Sequence, residues 1–277
     1  MAIRNRILGV MRFSYPASEG FAVSRLSEAA LEAHLYDAAR LETRFRYLET
    51  IAIPSLAAQT DPDFLCVLLA GASLPGPHRR RLRDLADGHP FLKAVFLDRM
   101  GAFAAAKRAF RRGLDHWDDV THVTGFRMDD DDAVATDYVA RTRDLADRLL
   151  AAGLAQGPTA IAFARGTYWD LHDPAQPFHD FREAQPLGLA CAMTTTADLP
   201  TCIYRYNHRR LASHVPTHMV PGDAPMFLRT LHGHNDSGRR IPPHADPLDI
   251  DRGRALLADR FGLDPDAALA LMPDPPA

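Results

Sequence analysis

The sequence predicts an α/β protein with a mainly parallel, Rossmann-type sheet and helices on both faces. Three observations carry that prediction. Through residues 1–150, apolar runs of strand length alternate with segments of helical period. One run, Phe64 to Ala70 (FLCVLLA), is continuously apolar, as parallel strands buried on both faces are. Another, Thr121 to Met128, leads directly into Asp129-Asp130-Asp131-Asp132. That puts four carboxylates at the carboxyl end of a strand, where sheets of this kind bind their ligands.

Taken in order, Arg6 to Phe13 is the first strand, and Ser14 to Gly20 is a loop rich in turn formers. Leu41, Phe45, Leu48, Ile51 and Ala52 recur at helical spacing, so Leu41 to Leu56 is a helix that Pro54 should kink or end. Phe64 opens the second strand. Pro75 to Ala86 is a helix opened by proline, with Arg79, Arg80, Arg81 and Arg83 on a solvated face. Phe91 to Leu97 is the third strand and ends at Asp98. Ala102 to Trp117 is a helix with an inward stripe of Phe103, Ala106, Phe110, Leu114 and Trp117. After the fourth strand and its aspartates, Ala135 to Leu150 is a helix turning Val139, Leu145 and Leu149 inward. Beyond it, Thr159 to Ala164 is a strand that residues 166–169 continue or turn. Asp170 to Pro186 reads as loop, and Leu187 to Thr194 and Thr201 to Tyr206 as further apolar runs. No linker divides the chain. Residues 1–150, ending in the strand with the aspartates and the helix after it, and residues 151–277 are expected to form two halves of a single domain.

Composition narrows the function. Of 277 residues, 47% are hydrophobic and 24% charged, enough apolar material to bury a core. A net charge of -3 argues against a nucleic-acid binder, which is usually basic. The three cysteines, Cys66, Cys191 and Cys202, are widely spaced and form no CxxC pair, so neither a disulfide framework nor a zinc site is expected. No signal peptide and no apolar span of membrane length is read, and the expected location is the cytoplasm, with peripheral attachment to the inner membrane compatible.

Four adjacent carboxylates repel and raise one another's pKa, which a hard divalent cation on oxygen ligands relieves. If the strand stays extended, Asp129 and Asp131 share one face and Asp130 and Asp132 the other. Mg²⁺ or Mn²⁺ held by one such pair keeps positions open for a diphosphate. On this reasoning, loss of the Asp131 carboxylate should leave the empty protein folded and even relieve it.

The arrangement resembles the DxD motif of glycosyltransferases with the GT-A fold. Arg127-Met128-Asp129-Asp130-Asp131-Asp132-Ala133 is similar to a segment of a bacterial rhamnosyltransferase family. So is the stretch from Phe45 through Pro54-Ser55-Leu56-Ala57-Ala58-Gln59-Thr60-Asp61-Pro62-Asp63-Phe64, and so is His232-Gly233-His234-Asn235-Asp236-Ser237. These segments span most of the chain. The resemblance implies a GT-A-type fold, a nucleotide-sugar donor, a saccharide or other hydroxyl acceptor, and a role in surface polysaccharide assembly. It implies Asp129 and Asp131 as the metal pair, Asp132 in support, and His232 as a late residue completing the metal or diphosphate site. His234 stands where the family more often has an acidic residue.

Nucleotide contacts are expected from strand ends and the helix before the metal strand: Arg12, Ser14, Asp98, Lys107 and Arg108, with Asp130 and Asp132 beside them. An inverting transfer needs a base for the acceptor hydroxyl. Asp170, Asp173, Asp180 and Glu183 are candidates, and Glu183 is favoured because it directly precedes an apolar run. Three rivals remain at this level. A nucleotidyltransferase would want a basic, Gly-rich loop after the first strand, but Ser14 to Gly20 holds neither Lys nor Arg. An EF-hand fails because Val134 occupies the sixth loop position. An inactive, carbohydrate-binding scaffold of the same fold is the third.

Overall fold

The computed structural model describes residues 3–20, 22–198, 200–233 and 240–273. Its main sheet follows from the apolar runs. β1 (Asn5–Arg12) pairs in parallel with β2 (Phe64–Gly71) and with β4 (His122–Asp129), and β2 pairs in parallel with β3 (Leu92–Leu97). The strand period of two sorts β2 to both faces. Phe64, Cys66, Leu68 and Ala70 join one core, and Leu65, Val67 and Leu69 the other. The first face is covered by α2 (Ala38–Tyr47), α3 (Ile53–Ala57), α4 (Gly76–Asp87) and α6 (Tyr138–Ala151) through Phe45, Leu56, Leu82 and Val139. The second face is covered by α5 (Ala102–Leu114). A short α1 (Glu28–Leu35), capped by Ser27, precedes α2, which Asp37 caps at its Arg40 amide.

The far side of the sheet is mixed. β9 (Cys191–Thr196) runs antiparallel to both β4 and β6 (Thr159–Phe163), and β10 (Thr217–Val220) closes the edge parallel to β6. The strand order is therefore β10-β6-β9-β4-β1-β2-β3. A second sheet has the order β12-β8-β7-β11-β5. It comprises β5 (Ala133–Val134), β7 (Arg165–Asp170), β8 (Phe178–Arg182), β11 (Phe227–Leu231) and β12 (Asp246–Leu248). Its Trp169, Phe178 and Phe227 are buried in the same core as Ile7 and Met11 of the main sheet. α7 (Ile250–Ala255) and α8 (Pro265–Leu269) follow. Among the described residues no helix is long and apolar enough to cross a membrane.

Several local expectations are corrected. Pro54 neither ends nor breaks its helix. The turn before it, Leu48–Ala52, is a π-helix in which the Ile53 amide reaches Leu48 O, so the wider turn accommodates a residue with no amide hydrogen. In α5 the buried residues are Ala105, Ala106, Ala109, Phe110 and Gly113, while Phe103 is 37% exposed. Small alanines let the helix sit close on β1 and β2, and the larger aromatic is left at the rim. The stretch expected as loop holds β8, whose polar residues suit the outer part of the second sheet. Thr201 to Tyr206 forms a 3-10 turn at Ile203–Arg205 rather than a strand. The buried Cys66 thiol is pushed up to about 12 by burial, as an inert core residue should be.

Candidate active site

The parallel register sets Arg12 of β1 opposite Asp129 of β4. Arg12 Nη2 donates to Asp129 Oδ1 at 3.1 Å. Extended geometry stops there. The Asp132 amide donates to Asp129 O at 3.3 Å, closing a turn, so the two-by-two division of the aspartates does not hold. Asp130 and Asp131 instead meet one side chain, Arg44 of α2. Arg44 Nε donates to Asp130 Oδ2 at 3.0 Å, its Nη2 contacts Asp130 Oδ1, and its Nη1 donates to Asp131 Oδ2 at 2.8 Å. All three residues are buried.

β5 then carries the chain to β11, which completes the site from behind. Thr230 N donates to Asp132 Oδ1 at 3.0 Å and Thr230 Oγ1 to Asp131 O at 2.8 Å. His232 Nε2 lies 2.7 Å from Asp131 Oδ2 and so donates to it, and Tyr47 packs against the imidazole at 4.6 Å between ring centres. Arg229 of the same strand reaches the front, its guanidinium 5.7 Å from the Tyr168 ring.

These contacts sort the four carboxyls electrostatically. Burial pushes Asp131 up, but Arg44 and His232 outweigh it and hold the group well below the usual carboxylate range. Asp129 also ends lower, because Arg12 and Arg127 overcome burial. Asp132 goes the other way: burial, then the charges of Asp131 and Asp129, push it well above the usual range. The relief expected from removing one carboxylate therefore belongs to Asp132, and Asp131 is a stabilising partner.

The cluster floors a cavity of about 260 Å³. All four aspartates line it, with Arg12, Arg40, Arg44, Arg127, Arg209 and Arg229 around them. Ser14 and Tyr15 line the donor side and Leu187 and Leu189 the other. Ser14, at φ 44°, sits in the left-handed region that non-glycine residues rarely adopt, with its Oγ accepting from Arg40 Nη1 at 2.9 Å. His208, also in the wall, is pushed down to about 4, first by burial and then by Arg127, Arg209 and Arg229.

Of the residues read from sequence, Arg12, Ser14, Asp129, Asp130, Asp131 and Asp132 meet at this cavity. Asp98, Lys107 and Arg108 do not line it. Asp98 is exposed and offers its carbonyl to Tyr15 Oη at 2.6 Å, while Lys107 and Arg108 lie on α5. His232 is buried behind Asp131 and does not face the cavity. His234, Asn235, Asp236 and Ser237 lie outside the described residues. Glu183 is buried one layer behind the wall, its Oε1 accepting from Tyr168 Oη and its Oε2 3.8 Å from Arg209. Asp170 and Asp173 bond loop amides, and Asp180 pairs with Arg165. Arg44, Arg127 and Arg229 were not read as site residues.

As for a metal, among the described residues no three His, Cys, Asp or Glu side chains converge as a cage. Mg²⁺ and Mn²⁺ do not need one, since they are commonly held by one or two carboxylates plus substrate phosphates. Asp129, with a side chain 39% exposed, and Asp131 beside it in the cavity floor fit that smaller role.

A parallel strand ending in aspartates beneath a basic cavity, on a sheet with helices on both faces, is the fold and site expected of a GT-A-like glycosyltransferase. A family model described as "Putative rhamnosyl transferase" matches residues 6–244, and the chain belongs to that family. This bears out the resemblance carried by the three sequence segments. No curated protein matches the chain. Among solved structures, S. aureus TarS 1-349 in complex with UDP-GlcNAc is similar at 11% identity, with a TM-score of 0.46, over 96% of this chain and 73% of that one. A "putative nucleotide-diphospho-sugar transferase" from Desulfovibrio desulfuricans G20 is similar at 11% identity, with a TM-score of 0.35, over 83% of this chain and 82% of that one.

Proposed function

We propose that this glycosyltransferase moves a sugar, rhamnose by its family, from a nucleoside diphosphate to a hydroxyl of a saccharide acceptor in surface polysaccharide synthesis. The carrying observation is the four-aspartate floor ringed by six cavity-lining arginines. The donor lies with its nucleoside toward Ser14 and Tyr15 and its diphosphate over Asp129 and Asp131. Those two carboxylates would hold Mn²⁺ or Mg²⁺, with Asp132 in support. The bound ion supplies Lewis-acid neutralisation of the charge that builds on the departing diphosphate.

The protein's own groups do the rest. Arg12, Arg127 and Arg229 stabilise the charge that develops as the bond to the anomeric carbon breaks. His232, by donating to Asp131, keeps that carboxylate ionised and oriented. The acceptor enters past Leu187 and Leu189. Glu183, 3.8 Å from the cavity-lining Arg209, whose side chain is 52% exposed, takes its hydroxyl proton once that side chain moves aside.

The test is a thermal-shift screen of UDP, dTDP, GDP and CDP, each with and without Mn²⁺, on the parent and on Asp129→Asn. A ligand bound only by the native state raises stability by about 2.7 kcal/mol at a hundredfold excess over Kd. One nucleotide should shift the parent in a Mn²⁺-dependent way, and Asp129→Asn should lose the dependence. If no nucleotide shifts the parent with or without the ion, the donor reading fails.

A further inference from the structure

Two of the arginines in the cavity wall share a support that does not itself face the cavity. The Arg12 guanidinium lies 5.5 Å from the centre of the Tyr204 ring, and the Arg127 guanidinium lies 5.2 Å from the same ring. The ring is fixed at its far end, where Tyr204 Oη donates to Val10 O at 3.0 Å, and it packs against the α5 side of the core. Tyr204 comes from the 3-10 turn Ile203–Arg205, nearly 200 residues from Arg12 in sequence but beside β1 and β4 in space.

Arg127 is held from its other side as well. A Cβ built on Gly188 would lie 2.3 Å from Arg127 Nη2 and 2.4 Å from Cζ. The guanidinium therefore touches both the Gly188 backbone and the Tyr204 ring, in a space that a side chain at 188 would fill. Two guanidiniums brought to one ring repel each other. Asp129, bonded to Arg12 and flanked by Arg127, is the counter-charge between them. Each cation gains from the negative face of the ring, and each loses rotamer freedom before any ligand arrives.

We propose that Tyr204 is a positioning residue: it holds Arg12 and Arg127 as a pre-formed two-guanidinium clamp on the donor's diphosphate, with Gly188 as the opposite jaw. The inference rests on the nucleotide-sugar reading and deepens it. A diphosphate offers a phosphate to each cation, so holding both in place favours it over a monophosphate, which offers one. The clamp thus sets the preference of the site for diphosphates.

The experiment measures binding of UDP, dTDP, GDP and CDP, and of the matching monophosphate of whichever binds most tightly, to the full chain by calorimetry. Three proteins are compared: the parent, Tyr204→Leu and Tyr204→Phe. Phe keeps the ring and removes the bond to Val10, whereas Leu removes both. Freeing two guanidiniums, each of which must then be ordered on binding at about 0.5–1.5 kcal/mol, should weaken the diphosphate about tenfold in Tyr204→Leu. The monophosphate should change by no more than about twofold, and Tyr204→Phe should keep the parent's preference. A general loosening of the fold would instead weaken both ligands and would strike Phe as well as Leu. Equal affinity of the parent and Tyr204→Leu for the diphosphate overturns the proposal, as does an equal loss in Phe and Leu. If Tyr204→Leu does not fold, Gly188→Ala, which pushes Arg127 out of its slot from the other side, must show the same selective loss. A parent that binds no nucleoside diphosphate would overturn the donor reading itself, which separates that failure from failure of the clamp.

Discussion

Arg44→Ala is the perturbation that most directly probes how this site is built. Arg44 is 8% exposed, and its partners Asp130 and Asp131 are 1% and 4% exposed. The guanidinium makes a two-point contact with Asp130 and a third bond to Asp131. Truncation leaves two buried carboxylates facing each other, with Asp129 and Asp132 close by. Removing one partner of a buried pair typically costs about 3–5 kcal/mol, because the remaining charge is uncompensated. His232 still donates to Asp131, so the lower end, about 3 kcal/mol, is the expected loss near pH 7. The pH dependence gives the cause away. In the parent, Asp131 is depressed below its unfolded pKa. It contributes stability that is present above the unfolded carboxylate value and lost as pH falls through the folded one. Without Arg44 the largest opposing contribution is gone, so the folded pKa rises and the stability that Asp131 contributes shrinks. The parent's advantage is present above the unfolded carboxylate value and is lost as pH falls toward the folded one, so the variant's deficit should shrink on acidification below about pH 4. Urea denaturation of both proteins at two pH values measures this, and Asp130→Asn in the Arg44→Ala background should recover much of the loss. A deficit under about 1 kcal/mol near pH 7, or one that does not shrink with acid, refutes the account of Arg44 as the internal counter-ion.

Two further substitutions separate charge relief from catalysis. Asp132 is raised above its unfolded pKa, so its contribution is full below the unfolded value and is lost as pH rises toward the folded one. Asp132→Asn keeps an oxygen for the Thr230 amide and should raise the melting temperature of the ligand-free protein near neutral pH but not in acid; an unchanged or lower value near neutrality counts against the crowding argument. Glu183→Gln should lower kcat by about 10²–10⁴ while leaving donor Kd unchanged, as loss of a general base does. A near-parental kcat in a transfer assay returns Glu183 to a purely structural bond with Tyr168.

What the sequence disclosed follows a physical line between local and remote order. The four parallel strands and α4 to α6 were legible because a buried strand or an amphipathic helix writes its burial into its own period. The aspartates were legible as a local charge density. Arg44 was not. A basic residue on a helix reads as solvated, and its partners lie 86 and 87 residues away. Arg127 stood in plain view in a motif, but its role depends on Tyr204 and Gly188, which only the fold brings together. β8 was missed because its FHDFR has alternating polar residues on a half-exposed sheet, and Pro54 was over-read because a π turn leaves no local mark. Lys107 and Arg108 show the opposite error: proximity in sequence to the metal strand put them near the site, but α5 packs on the sheet face away from α2 and its Arg44.

Under the proposed function, the charge arrangement accounts for how so acidic a motif would receive an anionic donor. Aspartates alone would repel a diphosphate. Among the described residues, six arginines and four aspartates line the cavity, which leaves it positive before any cation binds. A sugar diphosphate carries a charge on each phosphate, and its departure as a nucleoside diphosphate adds another. Fixed guanidiniums in excess of the aspartates therefore favour the leaving group over the donor, which is the differential stabilisation that accelerates a reaction. The aspartates hold the arginines as much as they would hold a metal: Asp129 fixes Arg12, and Asp130 and Asp131 fix Arg44. On this argument the acidic motif and the basic wall are one device: Asp129 and Asp131 stay ionised because Arg12, Arg127 and Arg44 face them, Asp132 is the crowded exception, and those three arginines keep their aim because a carboxylate or Tyr204 holds them.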